Sequence, residues 1–510
     1  MLLLLRVPSL VQPAGGDQGL YGYSGARMIA GGVMYRDIWD QKPPALAALY
    51  SVLWRIWPTQ AIVPGADLAA AALVACLLVW FGVRHFGAAA GWLAAGVFLL
   101  LGDPYLQRLS GVFVRGQCEP FINVSIAVAL TLIASVQEAR PWRLFASGIA
   151  LAAAFWLKYN AAAYALVLCA AVWTRCEQNR RRWQIWTAEV AWIASGFAAI
   201  TLIVLGYFVT KGAFHDLYLA TIAYNLGYSN ETYHGPLSVI GYLFTVPMER
   251  ARADMLWYTG GIGAALLLPR VRTSRWTIVI YAWLVSAILS IAINGSRDLP
   301  NYFVQAAPPL ALAAGAGFAQ LRRYRRSLCA AVLALLIVGL WRVGSDTPVF
   351  GMRLASMPGL VENVRFDTNY LMGHIDRDTY LARFSGKKHN ALENARLVDY
   401  VDATTRPDES IFVFGFSGGS VCWLSRRESA SRFFWSMPVI REFAASTPGY
   451  GSRGLLQDLE RARPQVVALQ KEEWRSRDFF MSNPALRAWL EAHYAPVREM
   501  EMFSVWRRMP

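Results

Sequence analysis

The sequence predicts a polytopic α-helical membrane protein that ends in a small α/β domain. Three observations carry that expectation. Of the 510 residues, 55% are hydrophobic and only 16% charged, against roughly 25% charged in an ordinary soluble domain. The apolar residues are gathered into long runs rather than spread evenly. Beyond residue 343 the charge content returns to normal and the runs give way to soluble helix and strand patterns.

The elements follow in order. "MLLLLRVPSLVQPAGG" is too short to span and has no basic start, so it reads as the tail of a first span begun upstream. Residues 17–65 form a large first outer loop. Within it, "PPALAALYSVLWRIWP" would make a helix of only ~22 Å, shorter than the ~30 Å hydrocarbon core. It is expected to lie along the outer surface. Spans are read at 66–83, 86–102, 120–136, 144–157, 159–174, 186–209, 254–268, 276–293, 302–319 and 328–343. With a missing first span this makes about 10–11. The aromatic loop 210–254 should also hold juxtamembrane helices. None of the runs alternates as an outer-membrane β-strand does, which excludes a barrel.

Residues 1–343 are thus expected to form the transmembrane domain and 344–510 an extracytoplasmic α/β domain. In the latter, "NALENARLVDYVDATT" reads as a helix and "DESIFVFGF" as a buried strand entering a turn at "SGGS". "PQVVALQ" reads as a second strand, "PALRAWLEAHY" as a helix and "SVWRR" as a final strand. "GFSGGS" has neither the dinucleotide fingerprint nor a P-loop Lys.

A net charge of +15 would allow nucleic-acid binding, but the distribution of charge argues against it. The loops 84–87, 137–143, 175–184, 269–276 and 320–326 carry 14 Arg and 2 acids, whereas the opposite loops carry nine basic and ten acidic residues. This asymmetry places the Arg-rich loops in the cytoplasm and the loop 17–65 outside the cytoplasmic membrane. The six Cys show no metal-ligand spacing.

The residues that ask for chemistry are the ionisable groups at the outer ends of spans: Asp17, Lys42, Asp103, Arg115, Glu119, Lys158, Arg297 and Asp298. Each also has a plainer reading. Asp17 can cap a helix, Glu119 can complement a helix N-terminus, and Lys158 can mark a turn between two spans. Together, however, they set carboxylates beside isolated cations and aromatic walls on one water-facing side. That mixture suits transfer from a lipid phosphate ester. Cations stabilise a departing phosphate, a carboxylate deprotonates an acceptor hydroxyl, and Tyr21, Tyr35 and Tyr302 offer ring faces to sugar or lipid.

Five segments in this order resemble the C-type-fold membrane glycosyltransferases, bacterial relatives of the dolichyl-phosphate-mannose–protein mannosyltransferases. The relatives include aminoarabinose transferases and lipopolysaccharide-core galacturonosyltransferases. The segments are Asp17 with "GLYGYSGARMIAGG", "YRDIWDQKPPALAALY", "CEPFINVSIA", "FWLKYNA" and "SRDLPNYFVQAAPPLALAAG". The resemblance implies a polyprenyl-phosphate-linked sugar donor, a cell-envelope acceptor, inversion at the sugar, and neither cofactor nor metal. It implies Asp17 as the base, Glu119 as a second catalytic acid, and Lys42, Lys158 and Arg297 as donor-phosphate ligands. Gln18 stands where many relatives carry a second acid. A transporter or flippase, the rival reading, would place ions near the midplane of the spans. The span interiors here are read as nearly free of charge apart from Glu189. A non-catalytic assembly subunit is the third reading.

Overall fold

The computed structural model of the protein describes residues 2–135, 140–176, 182–229, 236–293, 299–321, 326–344, 348–349, 352–353, 357–386, 389–471 and 473–510. Arg297 and Asp298 lie outside the described residues, as do several arginines of the Arg-rich loops.

Every apolar run read from the sequence is helical. After a 3-10 turn at Leu4–Val11 come α1 (Gly16–Ile29), α2 (Ala45–Ile56), α3 (Ile62–Phe86), α4 (Ala88–Leu101), α5 (Cys118–Ala134), α6 (Pro141–Leu157), α7 (Ala165–Cys176) and α8 (Arg182–Thr210). The loop after α8 is also largely helical and ends in α9 (Pro236–Ala253). Next are α10 (Met255–Leu267), α11 (Trp276–Ile293), α12 (Ala307–Phe318) and α13 (Arg326–Gly344). Among the described residues, α3, α8 and α11 are long and apolar enough to cross a membrane. The run read as starting at 159 opens as a 3-10 turn, Tyr159–Tyr164. Lys158 is extended there, and the Asn160 side chain donates to the Ser290 carbonyl at 2.6 Å.

The C-terminal part contains α14 (Ala391–Thr404), β1 (Ile411–Phe414), α15 (Gly418–Ser425), β2 (Val466–Gln470), α16 (Pro484–His493), β3 (Tyr494–Glu499) and β4 (Phe503–Arg508). The sheet order is β1-β2-β4-β3. β1 and β2 are parallel, with Ile411 opposite Val466, and the other two pairings are antiparallel. β1 and β2 are buried at every residue, which explains their unbroken apolar sequences. β3 is an exposed edge strand, irregular between Pro496 and Arg498, where a proline costs little.

The chain forms two compact units. One comprises Met1–Leu10, Pro64–Gly206 and Tyr228–Thr368; the other comprises Val11–Val63, Tyr207–Gly227 and Asn369–Pro510. The units are discontinuous, whereas the sequence reading divides the chain once, at 343. In the second unit the segment Val11–Val63 packs with the C-terminal sheet region.

That packing explains the glycines of "GDQGLYGYSG". Gly16, Gly19, Gly22 and Gly25 recur every third residue along α1. A Cβ at these positions would lie 2.1 Å from Phe416, 2.0 Å from Ser420, 2.3 Å from Trp423 and 2.7 Å from Ser51. Only glycine lets α1 approach α15 and α2 so closely. "SGGS" is accordingly more than a turn. Its glycines open α15, and Gly419 sits against Leu20 with no room for a side chain.

Candidate functional site

In the second unit, Asp17 lies in the first turn of α1 rather than at its cap, which is Gly15. A carboxylate there is favoured by the unpaired N–H groups of the helix start. Tyr35, Asp40 and the Pro43–Pro44 pair hold the end of the loop after α1 in place. Tyr35 has a left-handed backbone at φ 71°, and its hydroxyl donates to the Lys42 carbonyl at 2.8 Å. The Lys42 N–H donates to Asp40 at 3.3 Å. Pro43 and Pro44 then fix the entry to α2. So anchored, the Lys42 ammonium sits 4.3 Å from the centre of the Tyr21 ring. Tyr21 is itself braced edge-on by Tyr50 at 5.7 Å. Such a cation–π contact contributes roughly 0.5–2 kcal/mol. Tyr35 is fully buried against Phe208, so its part in this structure is to position the Lys42 backbone.

Asp40, which was not singled out from the sequence, is the most perturbed acid of this group. Burial pushes its carboxyl up to about 7, against the pull of two backbone N–H groups, and the Asp17 charge adds to the rise. The only sequence signal was its place two residues before a Lys-Pro-Pro. Nothing in the sequence showed that it would be buried.

In the first unit, Glu119 occupies the first turn of α5 and Lys158 caps the C-terminus of α6. The Lys158 ammonium donates to Glu119 Oε1 at 2.7 Å and lies 3.9 Å from the Tyr302 ring centre. Three residues named separately from the sequence thus form one cluster. Glu119 is 1% exposed, and its Oε2 has no hydrogen-bond partner among the described residues. The sequence shows no acid near Lys158 because Glu119 is 39 residues away.

The same unit carries buried ions at the ends of spans and in the segments between them, while the span interiors stay nearly free of charge. Asp67, near the start of α3, faces Arg115 at 3.8 Å, and Arg6 bonds Asp103 at 3.1 Å. Arg250 and Asp254 join Arg6, Asp67 and Asp103 around a small cavity of about 70 Å³. A lone acid at the edge of an apolar run was the available signal for Asp67. Glu189 pairs with Arg175. None of the six cysteines forms a disulfide. Among the described residues no group of three His, Cys, Asp or Glu could hold a metal ion.

No family model and no curated protein matches the chain. Solved structures do. ArnT from Cupriavidus metallidurans, bound to undecaprenyl phosphate, is 14% identical with a TM-score of 0.58; the match covers 99% of this chain and 96% of that one. Its apo state matches with a TM-score of 0.59 over the same shares, again at 14% identity. The oligosaccharyltransferase AglB from Archaeoglobus fulgidus is 11% identical with a TM-score of 0.46, covering 100% of this chain and 73% of its own. The chain therefore has the fold of ArnT over nearly its whole length, the C-type glycosyltransferase architecture that its sequence motifs resemble.

Proposed function

We propose that this protein is a membrane glycosyltransferase that moves a sugar from a polyprenyl-phosphate donor to a cell-envelope acceptor outside the cytoplasmic membrane. Asp17 takes the proton of an acceptor hydroxyl. The oxygen attacks the anomeric carbon from the face opposite the phosphate, the bond from that carbon to the phosphate oxygen breaks, and the configuration inverts. The bonding pair leaves with the polyprenyl phosphate, whose charge falls to Lys42, with Lys158 and Arg297 as the further proposed cations. Glu119 serves Lys158 as its counter-charge.

The observation that carries this reading is Lys42, held over Tyr21 within one compact unit with Asp17 and Asp40, in a chain with the fold of ArnT. A loop built only for topology has no need to anchor a cation by its own carbonyl and its own N–H. The test is sugar transfer by the purified protein from polyprenyl-phosphate sugars to envelope glycolipid and glycan fractions. Asp17→Asn should lower the rate by about a hundredfold or more, as expected for loss of a general base. Transfer near the wild-type rate would remove Asp17 from that role.

A further inference from the structure

The second unit contains a further, partly open cavity of about 250 Å³. Tyr370 and Tyr380 form one wall, their rings stacked 3.9 Å apart and nearly parallel. Gln60, whose Oε1 accepts from the Ala14 N–H, lines it beside His389, Asn394 and Ser420, and the last three are at most 2% exposed. Asn394 Nδ2 donates to His389 Nδ1 at 3.4 Å, which leaves the proton of the neutral ring on Nε2. Burial pushes His389 down to about 4, so the ring is uncharged near neutral pH. Asn394 Oδ1 and Ser420 Oγ are buried with no hydrogen-bond partner among the described residues. A buried polar atom left so carries an uncompensated desolvation penalty until something meets it.

The lining selects the ligand. It holds donors and acceptors together, and its charged residue, Arg377, is already paired with Asp399 at 2.8 Å. An anion would find no uncompensated cation there, and a purely apolar group would leave the polar atoms unmet. The volume exceeds the ~150 Å³ that accommodates a benzene ring, enough for a six-membered ring with hydroxyl groups. The cavity also adjoins α1: Ser420 packs on Gly19, two residues after Asp17, and the Asp17 charge acts on His389.

We propose that this cavity binds one uncharged pyranose unit, with His389, Asn394 and Ser420 bonding its hydroxyls and the tyrosines walling its ring. The glycosyltransferase reading enters only in naming the sugar's source, donor or acceptor; binding itself does not depend on it.

Saturation-transfer NMR on the purified full chain tests this, with methyl α- and β-pyranosides of glucose, galactose and mannose as probes. At least one glycoside should bind, and Ser420→Ala and Asn394→Ala should each weaken it about tenfold. Ser420→Ala removes a single atom, so a loss confined to that variant, with unchanged monodispersity, still supports the pocket. Displacement of the glycoside by polyprenyl-phosphate glucose assigns the site to the donor; simultaneous binding assigns it to the acceptor. No binding by any probe, or equal binding by both variants and wild type, overturns the proposal. A protein that binds sugar but transfers none keeps the pocket and loses the enzymatic reading.

Discussion

Replacing Asp40 by Asn should stabilise the protein at about pH 8 and leave it nearly unchanged below about pH 4. Asp40 is 4% exposed, and its carboxyl is raised from an ordinary 3.8 to about 7. In the unfolded chain the group ionises from about pH 4 upward; in the folded protein it does so only near pH 7. Its contribution to stability is therefore fully present below about pH 4, is lost as pH rises toward 7, and stays lost above. Three pKa units correspond to about 4 kcal/mol. Asn cannot ionise, yet keeps an oxygen for the Lys42 N–H, so the gain should grow from about zero to about 4 kcal/mol across that window. Unfolding in mixed micelles, followed by Trp fluorescence at several pH values, measures the gap. The infrared band of a protonated carboxyl, present in wild type near pH 6 and missing in Asp40→Asn, identifies the group. A stability gap that does not vary with pH, or no difference in that band, would refute the reasoning.

Gly22→Ala should destabilise the second unit by about 1–3 kcal/mol, because its new Cβ would meet the Trp423 ring at 2.3 Å; an unchanged melting profile would show that α1 and α15 do not pack this tightly. Glu119→Gln and Lys158→Met should each cost about 3–5 kcal/mol, since either strands a buried charge, and the double variant should cost less than the sum. Strict additivity in that cycle would deny the pair. Lys42→Met should weaken undecaprenyl phosphate binding more than Lys158→Met does, as read by microscale thermophoresis; equal losses would show that pairing with Glu119 does not hold Lys158 back from an anion.

The helical part of the fold was legible because a span needs an apolar run, and every such run proved helical. β1 and β2 were legible for a related reason, being apolar at each position. β3 was not, because an exposed edge strand with a proline carries no pattern to read. "SGGS" looked like a turn because glycine usually marks one. Here its glycines are needed where α15 meets α1, and that contact joins segments some 400 positions apart. The candidate residues could be picked out by type and place, but their relations could not. Lys158 looked isolated and is bonded to Glu119; Tyr35 looked like a ligand contact and anchors a backbone carbonyl. Asp40 stood out only once burial was known.

The partners of the cations decide which can receive a phosphate. Arg6, Arg115, Lys158 and Arg175 each face a carboxylate. A phosphate bound at Lys158 must take the ammonium from Glu119, leaving that carboxylate 1% exposed and without its counter-ion. Stranding a buried partner costs about 3–5 kcal/mol, so much of any new attraction would be cancelled. Lys42 forms no ion pair among the described residues; its ammonium rests on the face of Tyr21, a contact of roughly 0.5–2 kcal/mol. An arriving phosphate can bond that ammonium without removing it from the ring, because a cation over a π face keeps its outward N–H groups. Lys42 can thus meet an anion without stranding a buried carboxylate, whereas Lys158 is already paired with one.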